Sequence, residues 1–209
     1  MVVVLVDGIW GKGAVFGRLR ARLEAEGHRC LVPVLKPNNA AHGIADLAEK
    51  LKRIIDREAG PDTPLAIVGF SMGCIVARIY LQQLGGQRRT VAFFALSGPH
   101  QGTWTAYGAI GKGARDLRPG SEVLRSLKSA ETELGSTALF AYWTPFDLMI
   151  VPPTSARWRE AKTLRVWTPL HRFVPRSRRV QTDILAQLRR TSAENRPGAK
   201  PLSGEGETK

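Results

Sequence analysis

The sequence predicts an α/β fold, with a mostly parallel sheet of about six strands and helices on both faces. Three observations carry that prediction. Apolar, β-branched runs alternate with segments of helical periodicity from the first residue onward, which is the signature of βαβ units. The chain of 209 residues, 43% of them apolar, is long enough to bury one good core. A glycine-flanked serine, Gly69-Phe70-Ser71-Met72-Gly73, joins an apolar run directly to a helical pattern.

The six strands are read at Val2–Val6, Cys30–Leu35, Leu65–Gly69, Thr90–Leu96, Ala138–Trp143 and Thr163–Trp167. Between them, Val15–Glu26, Ile44–Glu58, Met72–Leu84 and Arg176–Arg190 carry apolar residues at helical spacing, as in Leu47, Leu51, Ile54 and Ile55. Residues 1–190 are expected to form a single domain. Within it, 102–135 reads as a lid-like insertion: it is rich in Gly and polar residues, with one short helical pattern at Ser121–Leu127. From 191 to 209 the chain has no aromatic residue and a single leucine, so the composition predicts a disordered tail.

The first residues form an apolar run that ends at Asp7-Gly8, with no basic leader and no small-residue cleavage site. No apolar stretch approaches the roughly 18 residues of a membrane span. A soluble, cytoplasmic protein is therefore expected. Cys30 and Cys74 are too few for a disulfide framework and sit in apolar segments, where a thiol packs as a small hydrophobe. The formal charge is +13, and residues 157–190 hold ten Lys or Arg against Glu160 and Asp183. Such a face attracts anions, and peripheral contact with an anionic membrane surface is one reading of it; solvation of an arginine-rich surface is the other. No nucleic-acid-binding motif accompanies it, so no specific nucleic acid is expected as partner. No dinucleotide, Walker or Cys/His metal spacing is present, and no cofactor is expected.

The Ser71 segment has the context of a nucleophile elbow. The strand Leu65–Val68 leads in and the helical pattern from Met72 to Tyr80 leads out. A sharp turn that holds serine at strained dihedrals leaves no room for side chains two residues to either side, hence the glycines.

Here the sequence resembles the α/β-hydrolase superfamily, and within it the small lipases and esterases. The likeness spans Val2 to about Leu188. It rests on the elbow, on Asp7-Gly8-Ile9-Trp10-Gly11 where such lipases usually have a His-Gly loop, and on Ser97-Gly98-Pro99-His100-Gln101-Gly102-Thr103, similar to their "TPHxGT" stretch. Asp7 departs from the usual histidine, and Cys74 stands where a second glycine is common. The resemblance implies strand order 2-1-3-4-5-6, with a ligand crevice at the carboxyl ends of the first and third strands, the loops at Gly8 and Ser71.

A serine nucleophile needs a base and a group to orient that base, and this fold supplies them in chain order Ser, acid, His. Of four histidines, His28 and His42 precede the elbow, and His100 comes too early for an acid to stand between. His171 lies beyond the last strand, where the base belongs. Asp116 falls in the insertion and Asp183 follows His171. Asp147 comes just past the fifth strand, in a segment that resembles the acid loop of small lipases with its following "VP" pair, Val151-Pro152. The Met72 amide is one expected oxyanion donor, and by resemblance the Ile9 amide is the other. Trp10, Trp104 and Tyr107 either line an apolar acyl pocket or simply pack.

The expected function is carboxylic ester hydrolysis through an acyl-enzyme, on a small-molecule or lipid ester. Thioesterase, amidase or acyltransferase chemistry would use the same residues, and a non-catalytic binding protein could keep the fold.

Overall fold

The computed structural model of the chain describes residues 1–194. Six strands, β1 (Val2–Val6), β2 (Arg29–Leu31), β3 (Leu65–Phe70), β4 (Thr90–Leu96), β5 (Ala138–Trp143) and β6 (Lys162–Arg165), form one sheet in the order β2-β1-β3-β4-β5-β6. Every pairing is parallel. The order reverses at β1 and β3, so the loops that follow these two strands open a crevice at the carboxyl edge.

Alternation along the strands divides the core in two. Val2, Val4 and Val6 of β1 face a cluster shared with α2 (Ile44–Ala59) and α3 (Met72–Gln83). Val3 and Leu5 face the other cluster, shared with α1 (Gly17–Ala25) and α6 (Arg178–Glu194). β1 and β3 are buried along their whole length, which explains why they read as unbroken apolar runs rather than alternating ones.

The edge strands differ from the sequence expectation. β2 stops at Leu31, where Cys30–Leu35 was expected, because Pro33 has no N–H to continue the ladder. β6 starts one residue earlier and ends at Arg165. α6 begins at Arg178, beyond Pro175, and continues to Glu194. It thus reaches into the segment expected to be a disordered tail, the rest of which, 195–209, lies outside the described residues.

The insertion is folded. It carries α4 (Lys112–Asp116) and α5 (Glu122–Ser129), and Leu124, Leu127 and Leu134 are buried in the α2/α3 side of the core. Ser121 caps α5 by accepting a hydrogen bond from the Leu124 amide. Asp116 Oδ2 accepts from the Ile44 amide at 2.9 Å and so caps α2, whose own N-cap is the side-chain-less Gly43. Cys74 is buried, Cys30 is half-buried and both are free thiols; burial raises the Cys30 thiol to about 11. Among the described residues no helix is long and apolar enough to cross a membrane.

Candidate active site

Ser71 sits between β3 and α3 with φ 55° and ψ −127°, dihedrals that few side chains adopt. Its amide donates to the Leu96 carbonyl at 2.9 Å, which ties the turn to the end of β4. The flanking glycines answer to close backbone approach. A Cβ on Gly69 would stand 2.9 Å from Cys74 Cα, and one on Gly73 would fall on the Val6 and Asp7 carbonyl oxygens. Cys74, at the position where a second glycine is usual in the family resembled, packs its Sγ toward the Leu96 carbonyl.

The loop after β1 lies against this turn, so that a Cβ on Gly8 would be 2.9 Å from Ser71 Cβ. Four of its amides are engaged. Gly8 N donates to Asp7 Oδ1 at 2.7 Å, Gly13 N to Asp7 Oδ2 at 2.8 Å, Trp10 N to the Asn38 carbonyl and Gly11 N to the Gly8 carbonyl. Among the described residues the Ile9 amide has no such partner, and neither has the Met72 amide at the start of α3. Asp7 thus holds the loop from within, each carboxylate oxygen taking one amide, and Trp10 accepts a positive φ of 56°.

Asp147 and His171 come together: His171 Nδ1 is 2.7 Å from Asp147 Oδ2. The Met149 and Ile150 amides, both at 2.9 Å, donate to Asp147 Oδ1, so both oxygens of the buried carboxylate are engaged. With Nδ1–H donated to this carboxylate, the neutral ring keeps its lone pair on Nε2. The Phe70 ring, next to Ser71, packs on the His171 ring with centroids 4.7 Å apart. The Ser71 hydroxyl makes no hydrogen bond among the described residues, so Asp147 and His171 are joined while the serine stands free.

Three threonines brace these loops. Thr103 Oγ1 donates to the Met149 carbonyl and accepts from the Val151 amide, both at 2.9 Å, which clamps the insertion to the Asp147 loop. Thr105 Oγ1 donates to the same carbonyl. Thr144 Oγ1 donates to the Thr168 carbonyl at 2.8 Å, linking the Asp147 and His171 loops. Sequence reading gave them no role. The Gly-Thr of 102–103 was the only local signal for any of them.

A cavity of about 250 Å³ opens beside Ser71, lined by Ile9, Trp10, Met72, Ala106, Leu117 and Ile150 among others. Trp10 is thus at the pocket, but Trp104 and Tyr107 are not in its lining. They stack on each other at 5.4 Å and face outward, while the small residues of the same turn, Thr105, Ala106 and Gly108, face the cavity.

The titratable residues set aside on sequence have other surroundings. His100 is buried, stacked on Trp158 at 4.8 Å with its Nδ1 3.5 Å from Arg78, and burial followed by that guanidinium holds its pKa well below the ordinary histidine value. Asp183 accepts from the Tyr142 hydroxyl at 2.7 Å. Among the described residues no three His, Cys, Asp or Glu side chains gather as a metal site.

Comparison with solved structures gives the same architecture. Mature lipase BlEst2 of Bacillus licheniformis superposes with TM-score 0.69 at 16% identity, covering 89% of this chain and 90% of that one. A structure from a study of carboxylesterases of Nitrososphaera gargenis gives 0.66 at 17% identity, covering 92% and 91%. Lipase B of Aspergillus fumigatus gives 0.68 at 16%, covering 83% of this chain and 49% of that one. At such identities these likenesses establish the fold. A search of curated proteins found no match. The thioesterase-domain family model matches residues 2–137, a span that includes β1, the elbow and all of the insertion. The chain belongs to the thioesterase-domain family of α/β-hydrolases.

Proposed function

We propose that the chain is a serine carboxylic ester hydrolase that works through an acyl-enzyme, with Ser71 as nucleophile, His171 as base and Asp147 as the group that orients it. The observation that carries this reading is the buried 2.7 Å Asp147–His171 pair, with its ring packed on the residue that precedes the strained Ser71. Ser71 Oγ attacks the ester carbonyl carbon while His171 Nε2 takes the hydroxyl proton. The carbonyl π electrons move onto oxygen, where the Ile9 and Met72 amides, without other partners among the described residues, receive the charge. The tetrahedral species collapses, the proton passes from Nε2 to the leaving alcohol, and water repeats the sequence on the acyl-serine.

The apolar cavity beside Ser71 supports an apolar acyl group of modest size, since 250 Å³ lies just under the roughly 300–1,000 Å³ of typical small-molecule sites. The surroundings support a substrate met at a lipid surface. Every exposed large apolar side chain among the described residues lies on a segment that leaves the carboxyl end of a strand, including Trp10, Trp104, Ile110, Leu148 and Trp167. Peripheral contact with an anionic membrane belongs to this proposal, because Lys12, Lys36 and Arg165 stand exposed on or beside the same loops.

The family match favours a second reading, a thioester in place of the oxygen ester, with the same groups in the same roles. Matched nitrophenyl esters and acyl thioesters of increasing chain length, assayed with wild type and with Ser71→Ala, His171→Ala and Asp147→Asn, test both. Ser71→Ala is expected to remove fluorophosphonate labelling and to lower turnover of the preferred class by at least about three orders of magnitude. Undiminished turnover in that variant refutes the proposal, and the ratio of kcat/KM between the two series selects the ester class.

A further inference from the structure

The other face of the sheet carries a second feature. α1 and α6 lie side by side there over Leu19, Leu23, Val180 and Ile184. Arg22 bridges them through Gln181 and Thr182. Between the start of α1 and the turn that leads into α6 are two adjoining hollows, about 590 and 380 Å³, which share Arg18 and Arg176. Arg22 and Arg178 complete the charged lining, and among the described residues no Asp or Glu lines either hollow.

Among the described residues, three of the four arginines of this groove, Arg18, Arg176 and Arg178, lack the partners that others on the same helices have. Arg20 pairs with Glu24 and Arg189 with Glu26. Among the described residues the guanidinium groups of Arg18, Arg176 and Arg178 have neither a carboxylate nor a hydrogen-bond acceptor. Their placement also opposes helix electrostatics. α6 has 17 residues, its first turn holds Arg178 and Arg179 with no acid, and Arg176 stands just before it, so positive charge gathers at the positive end of the macrodipole. Thr168 adds an independent sign. It lines the same groove and is 8% exposed, and its Oγ1 is buried without a hydrogen-bond partner among the described residues.

An anion in the groove would relieve the mutual repulsion of the guanidinium groups and satisfy the start of α6. Several arginine forks around one hollow suit the tetrahedral, multiply charged oxygens of phosphate better than a single carboxylate. We propose that the α1/α6 groove binds a phosphate-bearing anion, held by Arg18, Arg22, Arg176 and Arg178. Thr168 and Pro169 on its wall run directly into His171, so a bound anion braces that loop from the side away from the cavity at Ser71. The proposal stands whether or not His171 acts as a base.

The test is calorimetric titration of the full chain with inorganic pyrophosphate at constant ionic strength, with thermal unfolding in parallel and chloride as the control. Saturable binding and a raised Tm are expected. Arg18→Ser with Arg176→Ser should weaken binding at least about tenfold, as the loss of charge-assisted hydrogen bonds implies. Arg53→Ser, on α2, should leave it unchanged. In phosphate-free, low-salt buffer the double variant should unfold at or above the wild-type temperature, because like charges have been removed; this also shows that it folds. Sedimentation with phosphatidylcholine vesicles, with and without phosphatidic acid, distinguishes the two sources of phosphate. Vesicle binding lost in the double variant identifies a lipid headgroup, whereas pyrophosphate binding with groove-independent sedimentation identifies a soluble phosphate ester. Absence of saturable pyrophosphate binding together with groove-independent sedimentation, or undiminished pyrophosphate binding in the double variant, overturns the proposal.

Discussion

Asp7 offers the sharpest separation of scaffold from chemistry in the proposed site. Its two carboxylate oxygens accept from different amides, Gly8 at 2.7 Å and Gly13 at 2.8 Å. Asparagine can replace only one of these acceptors and turns an NH2 group toward the other amide. With hydrogen bonds to charged groups contributing about 1.5–3 kcal/mol each, Asp7→Asn is expected to lose about that much stability, and Asp7→Ala at least as much again through the second bond. Loosening reaches turnover through the Ile9 amide, because removal of one oxyanion donor lowers kcat by about 10²–10³-fold. Asp7→Ala should approach that range and Asp7→Asn should fall nearer tenfold. Urea unfolding and hydrolysis of one short-chain nitrophenyl ester, measured on the same preparations, give both quantities. If Asp7→Asn is as inactive as Ser71→Ala while its unfolding midpoint is unchanged, the carboxylate takes part in the chemistry and the loop argument fails.

Three further outcomes follow from the same geometry. Gly73→Ala should destabilise the fold by about 1–3 kcal/mol, because its Cβ meets two backbone carbonyl oxygens that cannot rotate away; a wild-type urea midpoint would contradict this. Ile110→Ser with Leu148→Ser should reduce retention on anionic lipid vesicles while leaving turnover of a soluble short-chain ester within about twofold, and equal retention would remove the apolar rim from the proposal. His100, held neutral by burial and by Arg78, binds its proton in the unfolded chain first. Stability should therefore fall as pH drops below about 6.5, by up to about 1.4 kcal/mol per pH unit. His100→Phe, which keeps a ring against Trp158, should flatten that slope between about pH 7 and about pH 5, and identical slopes would show that another group sets it.

What the sequence made legible follows from where the signal is local. The central strands β1, β3, β4 and β5 could be placed to within a residue, because burial on both faces demands unbroken apolar runs with polar or glycine ends. The edge strands β2 and β6 have one open side and correspondingly mixed residues, so Pro33 and the polar Lys162 shifted their limits. Asp147 and His171 could be chosen from their positions after β5 and β6, and they do lie in hydrogen-bond contact. The tertiary cap that Asp116 places on α2 joins residues 72 positions apart, and the Thr103 clamp on Val151 joins residues 48 apart. No local pattern encodes such pairs. The outward turn of Trp104 and Tyr107 was hidden for a related reason: in a short, irregular insertion neither period 2 nor period 3.6 says which side faces in.

The distribution of strained backbone supports the same placement of the site without reference to any side-chain chemistry. Of the four non-glycine residues with positive φ among the described residues, Trp10, Ser71 and Ser97 follow β1, β3 and β4 in turn, at 56°, 55° and 47°. Each such residue costs about 1–3 kcal/mol and persists only where its surroundings over-determine it. The sheet supplies that determination, since ladder bonding continues past the strand ends. The Ser71 amide donates to Leu96, the Ser97 amide to Tyr142, and the Val166 amide, on the way to His171, to Trp143. The starts of the loops after β3, β4 and β6 are therefore fixed by the neighbouring strand rather than by the helix that follows, whereas the Trp10 loop is held by Asp7 and Asn38. A side chain set on such a loop inherits the rigidity of a doubly covered sheet, which is what the proposed nucleophile Ser71, without a hydrogen bond among the described residues, requires if it is to meet its proposed base in register.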